Sequence, residues 1–128
     1  MFKTLIVEDN SVFRQSLNEV LSARFPSMAI AEAADGKDAM SMVDSFRPDL
    51  VFMDVNLPDG NGLNLTKIIK ADHSGTIVIV ITAYDVPEYR QAAFQAGASY
   101  FIAKGALSRE DMLAIVEKFL VIISQKFH

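Results

Sequence analysis

The feature that most constrains this chain is an alternation between two kinds of segment. Five short runs are almost continuously apolar, and each is followed by a stretch whose apolar residues recur at helical spacing. Continuous apolar runs of this length suit strands of a parallel sheet that is buried on both faces. Parallel strands joined through helices place those helices on both sides of an open sheet. The sequence therefore predicts an α/β fold with five parallel strands and five flanking helices.

The predicted boundaries follow from where each pattern starts and stops. Strands are predicted over residues 5–7, 28–34, 50–53, 77–81 and 100–103, and helices over residues 11–25, 37–46, 63–71, 87–96 and about 109–124. Asn10 or Ser11 is expected to cap the first helix, and Ser108 with Asp111 the last. Because these elements use the whole chain, we expect a single domain over residues 1–128 and no second, output domain.

Composition narrows the class of protein. The chain has 128 residues, of which 51% are hydrophobic and 22% charged, and this balance supports a packed core. The net charge is −4 and no cluster of Lys and Arg occurs, so we expect no direct binding of nucleic acid. The absence of cysteine excludes disulfides, thiolate metal sites and a cysteine nucleophile.

The apolar runs also bear on where the protein acts. Residues 77–81 and 119–123 form the longest of them, and both are far too short to span a bilayer. The N-terminal residues are typical of a first strand and not of a signal peptide. We therefore expect a cytoplasmic protein with no membrane partner.

Charged and polar residues stand directly after four of the five apolar runs. Glu8 and Asp9 follow the first run, Asp54 the third, Thr82 the fourth and Lys104 the fifth. In an open parallel sheet, ligands bind beyond the carboxyl ends of the strands. Three carboxylates, a hydroxyl and an ammonium are therefore expected to meet at one edge of the sheet.

Such a cluster has specific chemistry. Crowded carboxylates repel one another unless a cation lies among them, and oxygen ligands suit a hard ion such as Mg²⁺. A carboxylate beside Mg²⁺ and a lysine stays ionised and can attack phosphorus. The charge that develops on a transferring phosphoryl group can be stabilised by a metal, a lysine, a hydroxyl and a backbone N–H. The cluster is thus suited to phosphoryl transfer.

Four segments, taken in order, resemble the receiver domain of two-component response regulators, in particular the chemotaxis-regulator type. The matching segments are residues 7–10, 53–63, 81–83 and 97–104. A single match would be weak, but all four occur in order at strand ends and together span nearly the whole chain. The resemblance implies a flavodoxin-like, doubly wound sheet with strand order 2-1-3-4-5.

The resemblance also implies a metal site and a phospho-acceptor. Asp54 would accept the phosphoryl group and become an aspartyl phosphate. Mg²⁺, with Mn²⁺ as a substitute, would be held by Asp9, Asp54 and the backbone carbonyl of Asn56, with Glu8 holding it through water. Lys104 would bridge to the phosphoryl oxygens.

Further roles carried over by the resemblance concern the response to phosphorylation. Thr82 would be the switch hydroxyl, and the backbone N–H of Ala83 would contact the phosphoryl group. Phe101, three residues before the lysine, would be the aromatic switch residue. Asn56 and Tyr84 match positions that flank the path of the hydrolytic water, so they are expected to tune dephosphorylation.

Two positions depart from the family's usual pattern. Phe101 stands where tyrosine is frequent, so no hydroxyl would reach a partner surface. Tyr100 is adjacent, but neighbouring strand residues point to opposite faces, so it should not replace Phe101. Gly105 stands where many relatives have proline, which leaves the backbone after Lys104 less fixed.

The expected function is that of a phospho-accepting receiver. A histidine kinase or histidine phosphotransfer protein would supply the phosphoryl group, and the surface around the fourth helix, last strand and last helix would change to control an unknown output protein or domain. Such a chain would not be an enzyme acting on other substrates, since it would catalyse only its own phosphorylation and dephosphorylation. A monomer or a weak, phosphorylation-linked dimer is expected.

Several alternatives compete with this function. A phosphorelay intermediate fits the residues equally well, whereas the intact acidic cluster and Lys104 argue against a module that is never phosphorylated. A Mg²⁺-dependent phosphohydrolase would need a substrate pocket and a second acid/base group, and the sequence shows neither. Residues 54–60 faintly resemble a calcium loop, but Pro58 replaces a ligand. Glu8 and Asp9 disfavour a flavin phosphate loop.

The last helix presents apolar residues on more than one side. Leu113 and Val121 lie away from its expected core stripe, either as scattered exposed residues or as part of a partner surface on the last helix and last strand. The expected core stripe consists of Met112, Ile115, Val116, Phe119 and Ile123.

Overall fold

A computed structural model describes residues 2–125 of the chain, in which a five-stranded sheet forms the centre. The strands are β1 Lys3–Val7, β2 Ala29–Ala33, β3 Leu50–Asp54, β4 Ile77–Thr82 and β5 Tyr100–Ala103. Every neighbouring pair is parallel, and the order across the sheet is β2-β1-β3-β4-β5. The predicted doubly wound sheet with strand order 2-1-3-4-5 is therefore confirmed.

Five helices connect and flank the strands, and their ends agree closely with the predicted boundaries. They are α1 Ser11–Arg24, α2 Gly36–Phe46, α3 Gly62–Asp72, α4 Pro87–Gln95 and α5 Arg109–Gln125. The backbone N–H of Phe13 donates to the side chain of Asn10 at 3.1 Å, which confirms that Asn10 caps α1. At α5, the backbone N–H of Asp111 donates to the Ser108 hydroxyl at 3.1 Å.

The sheet separates two hydrophobic cores. Side chains alternate across each strand, so Phe101 packs in one core and Ile102 in the other. α2, α3 and α4 cover the face that contains Phe101, and α1 and α5 cover the opposite face. All residues of β3 and β4 are buried, as the continuous apolar runs indicated. Because both faces of these strands are packed, the register between them is fixed, and their carboxyl ends lie side by side at one edge of the sheet.

The last helix differs in part from its expected core stripe. Leu113 packs against the core instead of facing away from it, and Leu120 is buried although the stripe omitted it. Val121 and Ile122 are 51% and 40% exposed, so apolar side chains of α5 do face solvent. Within residues 2–125, no helix has the length and apolar character needed to cross a membrane.

A short antiparallel ribbon follows β3 and was not predicted. Its two strands are Asn56–Leu57 and Gly60–Asn61, and it is called the ribbon below. It occupies the loop between β3 and α3 and begins two residues after Asp54. The ribbon therefore borders the edge of the sheet where the candidate residues were expected.

Candidate functional site

Strand register brings the predicted residues to one edge of the sheet. Asp54, the last residue of β3, pairs with Ile81, and Thr82 ends β4 opposite the last residue of β5. Glu8 and Lys104 directly follow β1 and β5. An open cleft at this edge is lined by Glu8, Asp9, Asn10, Asp54, Asn56, Ala83, Tyr84, Tyr89 and Lys104.

Three carboxylates converge in this cleft. Glu8, Asp9 and Asp54 each present an oxygen atom such that all three lie within 4.8 Å of one another. Glu8 is fully buried and Asp54 is 4% exposed, whereas Asp9 faces solvent. Two buried acids side by side require compensation, because burial removes the water that would screen them.

Lys104 supplies part of that compensation. Its ammonium forms an ion pair with Glu8 Oε1 and lies 3.6 Å from Asp54 Oδ2. It also lies 4.8 Å from the centre of the Phe13 ring. The other oxygen of Glu8 accepts a hydrogen bond from the backbone N–H of Asn10 at 3.2 Å. Both oxygens of Glu8 are thus engaged by the protein itself.

The pKa values of the two buried acids are shifted in opposite directions. Burial, reinforced by the hydrogen bond and charge of Glu8, raises the pKa of Asp54 to about 7, although Lys104 and the backbone N–H of Asn56 act against this. Burial also acts to raise the pKa of Glu8, but hydrogen bonds from Asp54, Lys104 and Asn10 outweigh it and hold that pKa below its usual value. Near neutral pH Asp54 is therefore divided between its protonated and ionised forms, while Glu8 is ionised.

This donor set fits a hard divalent cation. Asp9, Asp54 and Asn56 all line the cleft, and the carboxylate oxygens of the two acids are the kind of ligand that such an ion prefers. A single ammonium faces three carboxylates there, so the protein leaves negative charge unbalanced. Burial, together with the hydrogen bond and charge of Glu8, raises the pKa of Asp54 in this setting.

The predicted switch residues, Thr82 and Phe101, lie beside the cleft instead of in it. Thr82 is fully buried, and its hydroxyl accepts a hydrogen bond from the backbone N–H of Tyr84 at 3.1 Å. Ala83 and Tyr84 line the cleft, and Tyr84 is 57% exposed. Phe101 is 3% exposed, with the guanidinium of Arg90 lying 4.8 Å from its ring centre.

The inward position of Phe101 bears on the expected switch. The Phe101 ring occupies the core in this structure, so an aromatic switch here would not start from an outward ring. Tyr100 points to the other face, where its ring meets that of Phe119 edge-on at 6.3 Å, so the expectation that it does not replace Phe101 agrees with the structure. The structure therefore shows Phe101 buried, and its role as a switch stays a prediction.

Gly105 gives a physical reason for the missing proline. Its φ is +82°, in the left-handed region that glycine adopts readily. Proline is restricted to φ near −65° and would not fit this backbone. The turn after Lys104 is therefore built for glycine in this chain.

Some residues that shape the site were not predicted from sequence. Arg14 donates to the backbone carbonyl of Glu8 at 2.6 Å and pairs with Glu32 at 2.7 Å, which fixes the chain end of β1. Tyr89 lines the cleft from the first turn of α4. Asp59 bonds to the start of α2 from the ribbon. Only tertiary contacts reveal these roles, although Asp59 lay within a matching segment.

Comparison with known proteins identifies the family. A family model described as response regulator receiver domain matches residues 4–117. The chain belongs to this family. Receiver domains are signalling domains of two-component response regulators, and the family uses Mg²⁺ at the acidic pocket that here contains Glu8, Asp9 and Asp54.

Individual relatives agree with this assignment. The DNA-binding transcriptional activator DevR/DosR of Mycobacterium tuberculosis is 34% identical over 115 residues, which cover 90% of this chain and 53% of that protein. The solved BeF3-activated DrrB receiver domain is 28% identical with a TM-score of 0.84, covering 94% of this chain and 97% of that one. A CheY-like receiver domain protein from Methanospirillum hungatei, at 23% identity, shares the fold with a TM-score of 0.89 over 98% of both chains.

These relatives correct the expected partners. The chain spans about half the length of the curated relatives it matches, and the relative from M. tuberculosis is a DNA-binding transcriptional activator. The prediction of no direct nucleic acid binding is therefore contradicted by these relatives. It rested on the net charge of −4, which describes this receiver segment and says nothing of the other half of such regulators.

Proposed function

We propose that Asp54 is the phospho-acceptor of this receiver domain and that it reacts in a Mg²⁺-dependent step. The observation that carries the proposal is that Asp54 lies beside the other two acids and 3.6 Å from the ammonium of Lys104. It is buried at 4% exposure yet borders an open cleft, so a donor can reach a carboxylate that bulk water scarcely solvates. The relative DrrB was solved in a BeF3-activated form, and BeF3 is an analogue of a phosphoryl group.

The reaction requires little movement of this chain's own groups. A carboxylate oxygen of Asp54 forms the new O–P bond while the P–N bond to a donor phosphoimidazole breaks, and the electron pair leaves on the imidazole nitrogen. Lys104 already stands 3.6 Å from that carboxylate and would follow the charge onto the phosphoryl oxygens. The backbone N–H of Ala83, at the cleft wall, would donate to a second phosphoryl oxygen.

The cation would be held by Asp9, Asp54 and the backbone carbonyl of Asn56. When bound, Mg²⁺ neutralises charge on the acids and on the transferred group. Glu8 lies behind these ligands, with its oxygens committed to Lys104 and the N–H of Asn10, so it acts through those groups or through water.

We further propose that phosphorylation changes the surface formed by α4, β5 and α5. Thr82 would turn its hydroxyl towards the phosphoryl group and give up the hydrogen bond from Tyr84. Phe101 shares the adjoining core, and Arg90 of α4 covers its ring, so α4 would follow any shift of that ring. Phe94, Tyr100 and Val121 expose apolar area on these elements, which suits an output contact.

The proposed unit is one receiver domain over residues 1–128. A histidine kinase or a histidine phosphotransfer protein is the proposed donor, and a relay role remains the alternative. The family match to residues 4–117 supports a single receiver unit.

Incubation with acetyl phosphate, with Mg²⁺ or with EDTA, tests the central proposal. Intact-mass measurement should show one added phosphoryl group on the wild type with Mg²⁺ and none with EDTA. Asp54→Asn should remain unmodified, whereas Asp85→Asn, which changes an exposed aspartate outside the acidic cluster, should react like the wild type. An adduct that forms without Mg²⁺, or that survives Asp54→Asn, would overturn the assignment of Asp54.

A further inference from the structure

The carboxylate of Asp59 joins two parts of the chain that are distant in sequence. Oδ1 accepts from the backbone N–H of Gly36 at 2.7 Å, and Oδ2 accepts from that of Lys37 at 3.0 Å. These amides begin α2, where the first N–H groups of a helix have no partner within it. Asp35 satisfies the amide of Asp38 at 2.8 Å, so Asp59 completes a cap that Asp35 leaves unfinished.

Charge strengthens this contact. A carboxylate at a helix N-terminus faces the positive end of the helix dipole and accepts charge-assisted hydrogen bonds. The bonds from Gly36 and Lys37 hold the pKa of Asp59 below its usual value. Asp59 is therefore ionised at neutral pH, and both of its oxygens are used.

The bonds of Asp59 to α2 anchor the ribbon, which is too short to be stable by itself. The ribbon consists of two paired positions, Asn56 with Asn61 and Leu57 with Gly60, and Asp59 lies in the turn between its strands. An isolated hairpin of this size is not stable in water. Its position therefore depends on anchors at its ends and tip, and Asp59 is the anchor at the tip.

The first residue of the ribbon borders the acidic cluster. Asn56 lines the cleft two residues beyond Asp54, and its backbone amide acts to lower the pKa of the Asp54 carboxyl. Only two residues separate Asn56 from Asp59, so a shift of the ribbon tip would be carried to the backbone beside Asp54. The same backbone supplies the carbonyl that the proposed function assigns to the cation.

The packing around Gly36 leaves little slack at this anchor. A Cβ atom at Gly36 would lie 3.1 Å from Asp59 Oδ1 and 3.0 Å from Leu65 Cδ1. The ribbon and α3 thus press against the start of α2. A methyl group at Gly36 would disturb the same contact from the opposite side.

We propose that Asp59 is a positioning residue for the cation site. By bonding the tip of the ribbon to the first turn of α2, it holds the backbone of Asn56 in place beside Asp54. This inference rests on the proposed function, since it concerns the proposed Mg²⁺ site. By thermodynamic linkage, Mg²⁺ must in turn stabilise the bonds from Gly36 and Lys37 to Asp59.

Calorimetric titration of the full chain with Mg²⁺ tests the affinity. Asp59→Ala should weaken Mg²⁺ binding about tenfold, at the low end of the effect of groups that orient metal ligands without touching the ion. Asp59→Asn and Gly36→Ala should also weaken Mg²⁺ binding. Asp59→Asn keeps the shape of the side chain and remains usable if the alanine variant fails to fold. Asp38→Asn removes an equal charge from the first turn of α2 without touching the ribbon and should leave the affinity unchanged.

Amide hydrogen exchange supplies a readout that a merely structural role would not move. In the wild type, added Mg²⁺ should slow the exchange of the Gly36 and Lys37 amides, and in Asp59→Ala it should not. An affinity for Asp59→Ala equal to that of wild type, or one matched by Asp38→Asn, overturns the positioning role. Asp9→Asn separates the two proposals: if it binds Mg²⁺ as well as the wild type, the cation site itself is misassigned.

Discussion

The ammonium of Lys104 lies between two buried acids, paired with Glu8 and 3.6 Å from Oδ2 of Asp54. In the part of the chain that the structure describes, no other cationic side chain lines the cleft. Removing it would leave two adjacent carboxylates with little solvent to screen them. The stability of the domain and the charge of its site are therefore linked through one lysine.

Replacement of Lys104 by glutamine should destabilise the protein in a pH-dependent way. At pH 8 we expect a loss of about 1–3 kcal/mol in the free energy of unfolding, since an ion pair with partly exposed Lys104 is broken. At pH 6 the loss should be smaller, because Asp54, whose pKa is already about 7 beside Lys104, is then protonated. Urea denaturation at the two pH values measures both numbers.

A matched variant separates the cleft from general charge effects. Lys67→Gln removes the same charge from the exposed side of α3. It should change the free energy of unfolding by no more than about 0.5 kcal/mol at either pH. Equal losses in the two variants would show that the contacts of Lys104 with Glu8 and Asp54 carry no special weight.

Asp54→Asn should stabilise the protein at alkaline pH. The pKa of Asp54 is raised in the folded state, so the folded protein binds more protons than the unfolded chain between about pH 4 and 7. Stability contributed by the protonated form is therefore lost as pH rises through that window. The amide cannot ionise, so the variant should gain roughly 1–3 kcal/mol over the wild type at pH 8 and little at pH 4.5. Thermal unfolding at both pH values checks this, and Asp9→Asn, at the exposed acid, should show a smaller gain.

Strand positions and the set of residues at the strand ends were predictable from the sequence. Buried parallel strands require unbroken apolar runs, and those runs fixed the place of Asp54, Thr82 and Lys104 at one edge. Alternation along a strand likewise separated Tyr100 from Phe101. These features depend on local pattern, which a single sequence contains.

Features that depend on tertiary contact were not predictable. The bond from Arg14 to the carbonyl of Glu8 and the bonds of Asp59 to α2 join elements whose relative positions only the fold defines. The predicted position of Leu113 was wrong because helical spacing gives the direction of a side chain, but not how wide a face of the helix the neighbouring core covers. The prediction about nucleic acid failed for another reason. It rested on the net charge of this chain, which spans only about half the length of its relatives.

Tyr84 should affect loss of the phosphoryl group more than its gain. Its side chain is 57% exposed at the wall of the cleft, two residues beyond Thr82, where a hydrolytic water would approach. We expect Tyr84→Ala to change the dephosphorylation rate at least about threefold and the phosphorylation rate less than about twofold. Both rates can be followed by intact mass after acetyl phosphate is added and then removed. Equal changes in the two rates would assign Tyr84 to a general structural role.

Mg²⁺ affinity should rise with pH and then level off near neutrality. The cation would require the ionised form of Asp54, and burial beside Glu8 raises the pKa of that carboxyl to about 7. Below that pKa, each decrease of one pH unit should weaken the apparent Mg²⁺ affinity about tenfold, because one proton is displaced for each ion bound. Calorimetry at pH 6 and pH 8 in buffers of different ionisation heat measures both the affinity and the proton released. A constant affinity would mean that the cation does not compete with the proton on Asp54.

Gly62 should be intolerant of any side chain. It begins α3, and a Cβ atom placed there would lie 1.9 Å from the backbone oxygen of Asp54 and 2.9 Å from Met53 Cγ. Backbone cannot give way as a flexible side chain can, so Gly62→Ala should cost at least about 2 kcal/mol in the free energy of unfolding. It should also slow phosphorylation by acetyl phosphate, because relief of the overlap displaces Asp54 from Lys104. Gly75→Ala is the matched control, since nothing lies within 4 Å of its added Cβ, and it should change neither quantity appreciably. A Gly62→Ala variant with wild-type stability and rate would show that the start of α3 can retreat without moving the phospho-acceptor.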